Sequence, residues 1–179
     1  MAGRALFPTE IGVCGLAWNA RGLTAVLLPE DDAAATRAQL QKRAPDAQDA
    51  DPPPEIAKAI AAIVTLLRGE PVDLSSLPLD LESVPEFERR VYVVARTIPP
   101  GETLTYGEVA ARIGEPGAAQ AVGRALGRNP WPIVVPCHRV VAAGGKLHGF
   151  TAPGGLDTKR RLLAIEGAAT KGAPLFQAP

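Results

Sequence analysis

The sequence predicts an α+β fold. A small antiparallel sheet with helices is expected in residues 1–82, and a helical domain with a helix-turn-helix is expected in residues 83–168. The first observation is alternation of side chains on both sides of a turn in residues 10–28, which is typical of a β-hairpin. The second is apolar residues at helical spacing, and the third is a pair of short helices joined by a glycine-containing break. The helical spacing of apolar residues occurs in residues 54–68 and 86–97. The pair of short helices lies in residues 105–113 and 117–128.

Size and composition exclude several classes of protein. The chain has 179 residues, of which 46% are hydrophobic, which is too many for a disordered protein and enough for one or two domains. No apolar run approaches the 18 or so residues that cross a bilayer, and residues 1–10 lack the apolar block of a signal peptide. We therefore expect a cytoplasmic protein with no membrane partner. We also expect residues 169–179 to form a loose tail.

The cysteine and histidine content argues against disulfides and metals. There are two cysteines, Cys14 and Cys137, with no CxxC pair, and only His138 and His148 add imidazole groups. A disulfide scaffold or a structural zinc site needs more of these residues. We expect no metal and no cofactor, and we expect Cys14 to be a packed core residue.

Charge is divided unevenly along a chain of zero net charge. Residues 1–82 carry 7 Lys and Arg against 12 Asp and Glu, a net charge of −5, whereas residues 83–179 carry 12 against 7, a net charge of +5. Phosphates attract clusters of Lys and Arg, so the second half is where an anionic partner is expected to bind.

In the first half, turn and cap residues predict the order of the elements. Residues 19–22 form the hairpin turn, and Asp31 and Asp32 can cap a helix over residues 32–43. After an acidic, proline-rich loop over residues 44–54, Pro54 suits the first position of a helix that Gly69 ends. Residues 71–82 are expected to form a strand and a loop. The apolar face of the second helix consists of Ile56, Ile60, Ile63, Val64 and Leu67.

The second half begins with a helix over residues 86–97, which prolines then stop. Thr105 and Glu108 form a capping box at the start of the next helix. The helix over residues 117–128 has small residues on one side, which permit close approach to a groove, while Gln120, Arg124 and Arg128 can reach outward. A DNA-binding helix-turn-helix and an ordinary αα-hairpin in a helical core are both compatible with this spacing.

Cys137 is the main candidate for chemistry. It stands at a proline-controlled bend in an apolar run, within Pro136-Cys137-His138-Arg139. The thiolate is the nucleophile, so a base is needed, and His138 can serve if the chain bends or a water bridges the pair. Glu166, in a helix over residues 158–166, is the best candidate to orient the histidine. We give His148 no catalytic role, and we expect Lys159, Arg160 and Arg161 to form a solvated helix face.

The run around Cys137 resembles the active-site signature of the O6-alkylguanine-DNA alkyltransferases, also called methylated-DNA–protein-cysteine methyltransferases. The resemblance covers residues 84–167 and rests on several separated motifs in the order that the family has them. Residues 1–82 are similar more loosely, in their plan of a hairpin followed by helices. The matching positions are Phe87, Val91, Ile98-Pro99, Gly101, Thr103, Tyr106-Gly107-Glu108-Val109-Ala110, Asn129-Pro130, Gly144-Gly145, Gly149-Phe150, Gly154-Gly155-Leu156, Lys159, Leu162-Leu163 and Glu166-Gly167.

The resemblance implies a ribonuclease-H-like domain over residues 1–82 and a winged-helix-like domain over residues 83–168. It implies repair by single-turnover transfer of an alkyl group from guanine O6, and possibly thymine O4, to Cys137. His138 would remove the thiol proton through a water, and Glu166 would orient His138. Asn129 would brace the active-site turn, and Tyr106 would protonate the departing guanine.

The family's contacts with substrate and DNA carry over to further residues. The carbonyls of Cys137 and Val140 would read the guanine amine, and the amide of Thr151 would bond O6. Phe150 would wall the pocket, and we also assign Trp131 to it. A monomer would insert its recognition helix into the minor groove of double-stranded DNA, with the damaged nucleotide flipped out. The residues expected at DNA are Ala119, Gln120, Gly123, Arg124, Arg128 and Arg139.

Two departures and three alternatives remain open. Gln120 stands where the family usually has an arginine finger, and this difference bears on base flipping. The segment 150–155 is two residues longer than in many relatives, and this difference bears on the size of the alkyl group that the pocket accepts. A non-repairing sensor of alkylated bases, a cysteine hydrolase using Cys137, His138 and Glu166, and a transcription factor with a buried cysteine are the alternative functions.

Overall fold

The computed structural model describes residues 1–168 and has the α+β architecture that the sequence predicts. The predicted tail, residues 169–179, lies outside the described residues. Six strands and six helices follow one another in the order β1 (Gly3–Thr9), β2 (Gly12–Asn19), β3 (Gly22–Leu27), α1 (Ala33–Arg43), β4 (Gln48–Asp49), α2 (Pro54–Leu67), α3 (Glu86–Ala95), β5 (Leu104–Thr105), α4 (Tyr106–Arg112), α5 (Ala119–Gly127), β6 (Val140–Val141) and α6 (Gly155–Ile165).

The predicted hairpin is confirmed as β2 and β3, the centre and one edge of a four-stranded sheet with the order β3-β2-β1-β4. Gly22 makes the turn possible, because its φ is +144° and an added Cβ would lie 2.6 Å from the carbonyl oxygen of Pro78. The sequence did not predict β1, which pairs antiparallel with β2 along its whole length. Nor did it predict β4, a two-residue strand inside the acidic loop that pairs parallel to β1.

The prediction of a strand within residues 71–82 is wrong. This segment is a loop that makes one isolated bridge, between Leu79 and Leu23 at the edge of β3. The amide of Leu23 donates to the carbonyl of Pro78, and the amide of Asp80 donates to the carbonyl of Leu23, both at 2.9 Å. Pro71 and Pro78 have no amide hydrogen to donate, so a longer ladder is disfavoured here.

The predicted helix caps are confirmed. Asp32 accepts a hydrogen bond from the amide of Ala35 at the start of α1, and Pro54 is the first residue of α2. The capping box of Thr105 and Glu108 starts α4, with both reciprocal hydrogen bonds present. Helices α4 and α5 pack against each other and against α3, so the helix-turn-helix is part of a three-helix arrangement.

The larger of two hydrophobic clusters runs through both halves of the chain, and the smaller one lies between the sheet and α1. The larger cluster contains residues of the sheet, of α2, and of α3 to α6, and the fully buried Trp131 lies within it. The indole Nε1 of Trp131 donates to the carbonyl of Leu23 at 2.8 Å, and the amide of Val26 donates to the carbonyl of Pro130 at 2.9 Å. These bonds fix the segment before Cys137 against β3. Among the helices of residues 1–168, none has the length and apolarity to cross a membrane.

Candidate active site

Cys137 opens into a cavity of about 590 Å³ between the two halves of the chain. One wall is formed by Tyr106 of α4, Asn129 and the segment 149–153. The other wall comes from β3 and α1, including Gln39 and Arg43. The sequence placed the pocket entirely in the second half, so the contribution of the first half was not anticipated.

The turn before Cys137 is strained and braced. Ile133 has a φ of +76°, a left-handed conformation that is costly for a β-branched residue. Asn129 holds both sides of the turn: its Oδ1 accepts from the amide of Trp131 at 2.9 Å, and its Nδ2 donates to the carbonyl of Val135 at 2.8 Å. Both ends of the Asn129 amide are therefore engaged in hydrogen bonds within this turn.

Cys137 begins one turn of 3₁₀ helix, Cys137–Arg139, so the bend that the sequence required is present. Burial raises the pKa of the Cys137 thiol. A hydrogen bond from Asn129, the positive charge of Lys159 and backbone amides act in the opposite direction without overcoming burial. The resting thiol is therefore mostly protonated, and a base is needed to generate the nucleophile.

His138 and Glu166 form the buried pair that the sequence suggested. His138 is fully buried, and its Nε2 lies 2.8 Å from Oε1 of Glu166. Burial lowers the pKa of His138 despite the neighbouring carboxylate. A neutral imidazole donates from Nε2 to the carboxylate and leaves Nδ1 as an acceptor, and Nδ1 is buried without a hydrogen-bond partner within residues 1–168. His138 can therefore take up a proton at Nδ1.

The prediction that Arg139 binds DNA is wrong, because this side chain is not available to DNA. It is 5% exposed, and its Nε and Nη2 donate to the two carboxylate oxygens of Glu166 at 2.9 and 2.7 Å. Its Nη1 donates to the carbonyl of Ile98 at 2.6 Å. Burial raises the pKa of Glu166, but the hydrogen bonds from His138 and Arg139 outweigh it and bring this pKa to about 2. Arg139 thus keeps Glu166 ionised beside His138.

The prediction that Trp131 belongs to the pocket is also wrong. It is 1% exposed, bonds to the carbonyl of Leu23, and stacks edge-on against Tyr92 with ring centroids 6.1 Å apart. It does not line the cavity. A large aromatic ring in this apolar run packs in the core between the halves, and Pro130 and Pro132 on each side of it face the cavity instead.

Of the remaining predicted pocket residues, Val140, Tyr106 and Phe150 lie around Lys159. Phe150 and Thr151 line the cavity, and the hydroxyl of Tyr106 donates to the carbonyl of His148 at 2.8 Å. Lys159, expected on a solvated face, is 1% exposed, and its Nζ donates to the carbonyl of Val140 at 2.7 Å. Arg160 and Arg161 are exposed, as expected. His148 is an exposed loop residue.

A signal for the burial of Lys159 was present in the sequence. Residues 159, 162, 163 and 166 are spaced at helical intervals, which places Lys159 on the same face of α6 as Leu162 and Leu163. Lys159-Arg160-Arg161 resembles a surface charge cluster only if this spacing is ignored.

The helix-turn-helix presents α5 outward. Gln120 and Arg124 are exposed on it, while Arg128 at its end forms an ion pair with Glu88 at 2.8 Å. Ala119 is partly exposed, and a Cβ at Gly123 would lie 3.8 Å from the ring of Tyr106. A Cβ at position 123 would therefore make an ordinary van der Waals contact with Tyr106, which places this part of α5 directly beside the tyrosine that lines the cavity.

Cys14 lies apart from this site. It is fully buried in β2, and burial raises the pKa of its thiol to about 11, although a hydrogen bond with Thr9 acts in the opposite direction. It is a packed core residue, as predicted. Within residues 1–168, no cluster of three or more His, Cys, Asp or Glu side chains is arranged to hold a metal ion.

Comparison with known proteins identifies the family. Residues 86–168 match the model of the 6-O-methylguanine DNA methyltransferase, DNA binding domain. The chain is 39% identical over 158 residues to a methylated-DNA–protein-cysteine methyltransferase of Methanothermobacter thermautotrophicus, covering 88% of this chain and 81% of the relative. The crystal structure of Mycobacterium tuberculosis O6-methylguanine methyltransferase is similar with a TM-score of 0.73 and 37% identity, over 97% of this chain and 96% of that one.

A crystal structure of Mycobacterium tuberculosis OGT in complex with DNA is similar with a TM-score of 0.71 and 35% identity, over 92% of both chains. The chain belongs to the methylated-DNA–protein-cysteine methyltransferase family.

Proposed function

We propose that this protein repairs alkylated DNA by transferring the alkyl group of O6-alkylguanine to Cys137, once per molecule. The observation that carries the proposal is a thiol in a cavity that Tyr106 and Asn129 also line, followed in sequence by His138, which is buried and paired with Glu166. The names of the relatives describe methylated DNA and a protein cysteine, and one structural relative is in complex with DNA, which supports DNA as the partner of this chain.

The transfer is a displacement at the alkyl carbon. The Cys137 thiol gives its proton to Nδ1 of His138 through a bridging water, and the thiolate attacks the carbon bonded to O6. The carbon–sulfur bond forms as the carbon–oxygen bond breaks, and its electron pair leaves with guanine. Tyr106 protonates the departing base and regains a proton from solvent. The thioether is stable to hydrolysis, so the protein is consumed in the reaction.

Glu166 and Asn129 act as positioning residues. The carboxylate of Glu166 fixes His138 with the proton on Nε2, which leaves Nδ1 free to accept. Asn129 bonds to both sides of the strained turn, and its side chain acts to lower the pKa of the Cys137 thiol, which favours the thiolate. Neither residue needs to touch the alkyl group.

For the base itself, we propose contacts from both sides of the cavity. The carbonyls of Cys137 and Val140 accept from the exocyclic amine, the amide of Thr151 donates to O6, and Phe150 packs on the base. The Val140 carbonyl already accepts from Lys159 at 2.7 Å, but a carbonyl oxygen has two lone pairs and can accept a second hydrogen bond.

For the DNA, we propose that α5 enters the minor groove and that the damaged nucleotide rotates into the cavity. Ala119 and Gly123 permit close approach of the helix, and Gln120 bonds to the base left without a partner. Arg124 and Arg128 contact phosphates. The net charge of +5 in residues 83–179 supports this face as the DNA-binding one.

We also propose the finer fold assignment, with a ribonuclease-H-like domain over residues 1–82 and a winged-helix-like domain over residues 83–168. The four-stranded sheet with α1 and α2 supports the first, and α3 to α5 with the small β5-β6 sheet support the second. We propose a monomer in the cytoplasm, where two unpaired cysteines are typical of a reducing compartment.

The test is intact-protein mass spectrometry after mixing with a duplex that carries O6-methylguanine. The expected result is a gain of one methylene per molecule, on the peptide containing Cys137 and not on that containing Cys14. Folded protein that gains no mass contradicts the proposal. A hydrolase would release product repeatedly without a lasting mass gain, and a transcription factor with a structural cysteine would bind DNA equally well as Cys137→Ala and never gain mass.

A further inference from the structure

Lys159 is a buried cation with neutral partners. Its Nζ donates to the carbonyl of Val140 at 2.7 Å and lies 3.4 Å from the carbonyl of His148 and 3.5 Å from the hydroxyl of Tyr106. The ion pairs described within residues 1–168 do not include it. Burying an ammonium without an opposite charge is costly, so its retention at 1% exposure requires a compensating interaction.

The contacts of Lys159 join three parts of the pocket. Val140 follows the Cys137 turn, Tyr106 begins α4, and His148 precedes the segment that carries Phe150. The ammonium also lies 5.7 Å from the centre of the Tyr106 ring and 5.9 Å from that of Phe150. The faces of aromatic rings attract cations, so the two aromatic walls of the pocket are held around one charge.

Cys137 is the group that presents a negative charge to Lys159 once its thiol has lost a proton. Burial lowers the pKa of Lys159 to about 8, and the charge of Cys137 opposes that decrease. Reciprocally, Lys159 favours the ionised thiol of Cys137, and it disfavours the protonated form of His138. The titratable groups that face the ammonium are therefore Cys137 and His138 from the active-site turn and Tyr106 from α4.

We propose that Lys159 is a positioning residue for the alkyl transfer proposed above, a buried ammonium that ties the Cys137 turn to the aromatic pocket walls and supplies the charge opposite the thiolate. The proposal rests on the proposed function for its purpose. Its physical content, the coupling between Lys159 and the Cys137 thiol, is measurable without DNA or an alkylated base.

The first test is the pH dependence of the reaction between iodoacetamide and Cys137 in Lys159→Met, measured peptide by peptide so that Cys14 is separate. Loss of the charge is expected to move the profile to higher pH and to slow the reaction at neutral pH about tenfold, which corresponds to one pKa unit. Lys159→Arg is expected to restore the profile in part. Arg160→Gln, an exposed charge next in sequence on α6, is the matched control and should behave as the wild type.

A purely structural role for Lys159 gives a different result. If the lysine only holds the loop, Lys159→Met changes the rate at every pH but leaves the midpoint of the profile unchanged, and this outcome would overturn the proposal.

A second variant covers the possibility that Lys159→Met does not fold. Lys159→Gln removes the charge and keeps a side chain that can donate to the carbonyl of Val140, and urea denaturation shows whether it is folded. It is expected to slow the reaction of Cys137 with iodoacetamide at neutral pH and to move the profile to higher pH, as Lys159→Met does. Folded Lys159→Gln with the wild-type profile contradicts the proposal. Absence of methyl transfer from O6-methylguanine would count against the proposed function, but it would not affect this result.

Discussion

At the level of single residues, the charges around the nucleophile are arranged in series. Lys159 faces Cys137, His138 follows it, Glu166 accepts from His138, and Arg139 holds Glu166 through both carboxylate oxygens. Each buried charge has an opposite or polar partner, which is the condition for keeping such groups in a protein interior. Arg139 therefore belongs to the support of the histidine rather than to the DNA surface.

Arg139→Met is expected to destabilise the protein by about 3–5 kcal/mol, because it leaves the Glu166 carboxylate buried without its bidentate partner. Urea denaturation measures this change. Arg128→Met is the matched control: it breaks an ion pair whose arginine is 66% exposed and should cost less than about 1 kcal/mol. The double variant Arg139→Met, Glu166→Gln should recover part of the loss, and equal losses in the Arg139 and Arg128 variants would argue against a buried network.

The lowered pKa of Glu166 also predicts that the free energy of unfolding depends on pH. Its pKa in the folded chain is about 2, below its ordinary value of 4.5, so the ionised carboxylate contributes stability above pH 4.5 that is lost as the pH falls toward 2. The free energy of unfolding of the wild type should exceed that of Glu166→Gln at neutral pH, and the difference should shrink between pH 4.5 and pH 2. Urea titrations at several pH values test this. A difference that stays constant across that range contradicts it.

At the level of elements, local sequence signals predicted most of the helices because their ends are set locally. Asp32, Pro54 and the Thr105–Glu108 capping box fix three helix starts through bonds within one turn. Strand β1 escaped prediction because its pairing partner, β2, determines it more than its own residues do. Similarly, the first-half wall of the cavity and the place of Arg139 depend on contacts between residues distant in the chain, which spacing does not reveal.

For α5, Gln120→Ala is expected to slow repair in duplex DNA more than reaction with free O6-benzylguanine. Gln120 is exposed on the outer face of the helix and does not line the cavity, so a free base reaches Cys137 without it. The two rates are measured side by side by the appearance of alkylated Cys137. Equal effects on both substrates would show that Gln120 has no part in base flipping.

At the level of the whole molecule, the site depends on how the two halves meet. Residues from β3 and α1 complete the cavity, and the segment that leads to Cys137 is bonded to β3 at Leu23 and Val26. The acidic half therefore contributes to the pocket although its net charge opposes DNA binding. A continuous core through both halves implies that they unfold together.

Trp131→Phe tests this coupling. The change removes the indole hydrogen bond to Leu23 and part of the ring that fills the core, and we expect a loss of about 1–3 kcal/mol with a single unfolding transition. Urea denaturation followed by circular dichroism and by reactivity of Cys137 should give coincident curves, both shifted to lower urea. Trp18→Phe is the matched control, since Trp18 is also buried but lies within the sheet of the first half. If Trp131→Phe instead separates the two curves, exposing Cys137 before the bulk of the secondary structure melts, the halves are independent units and the pocket between them is held by this bond rather than by a shared core.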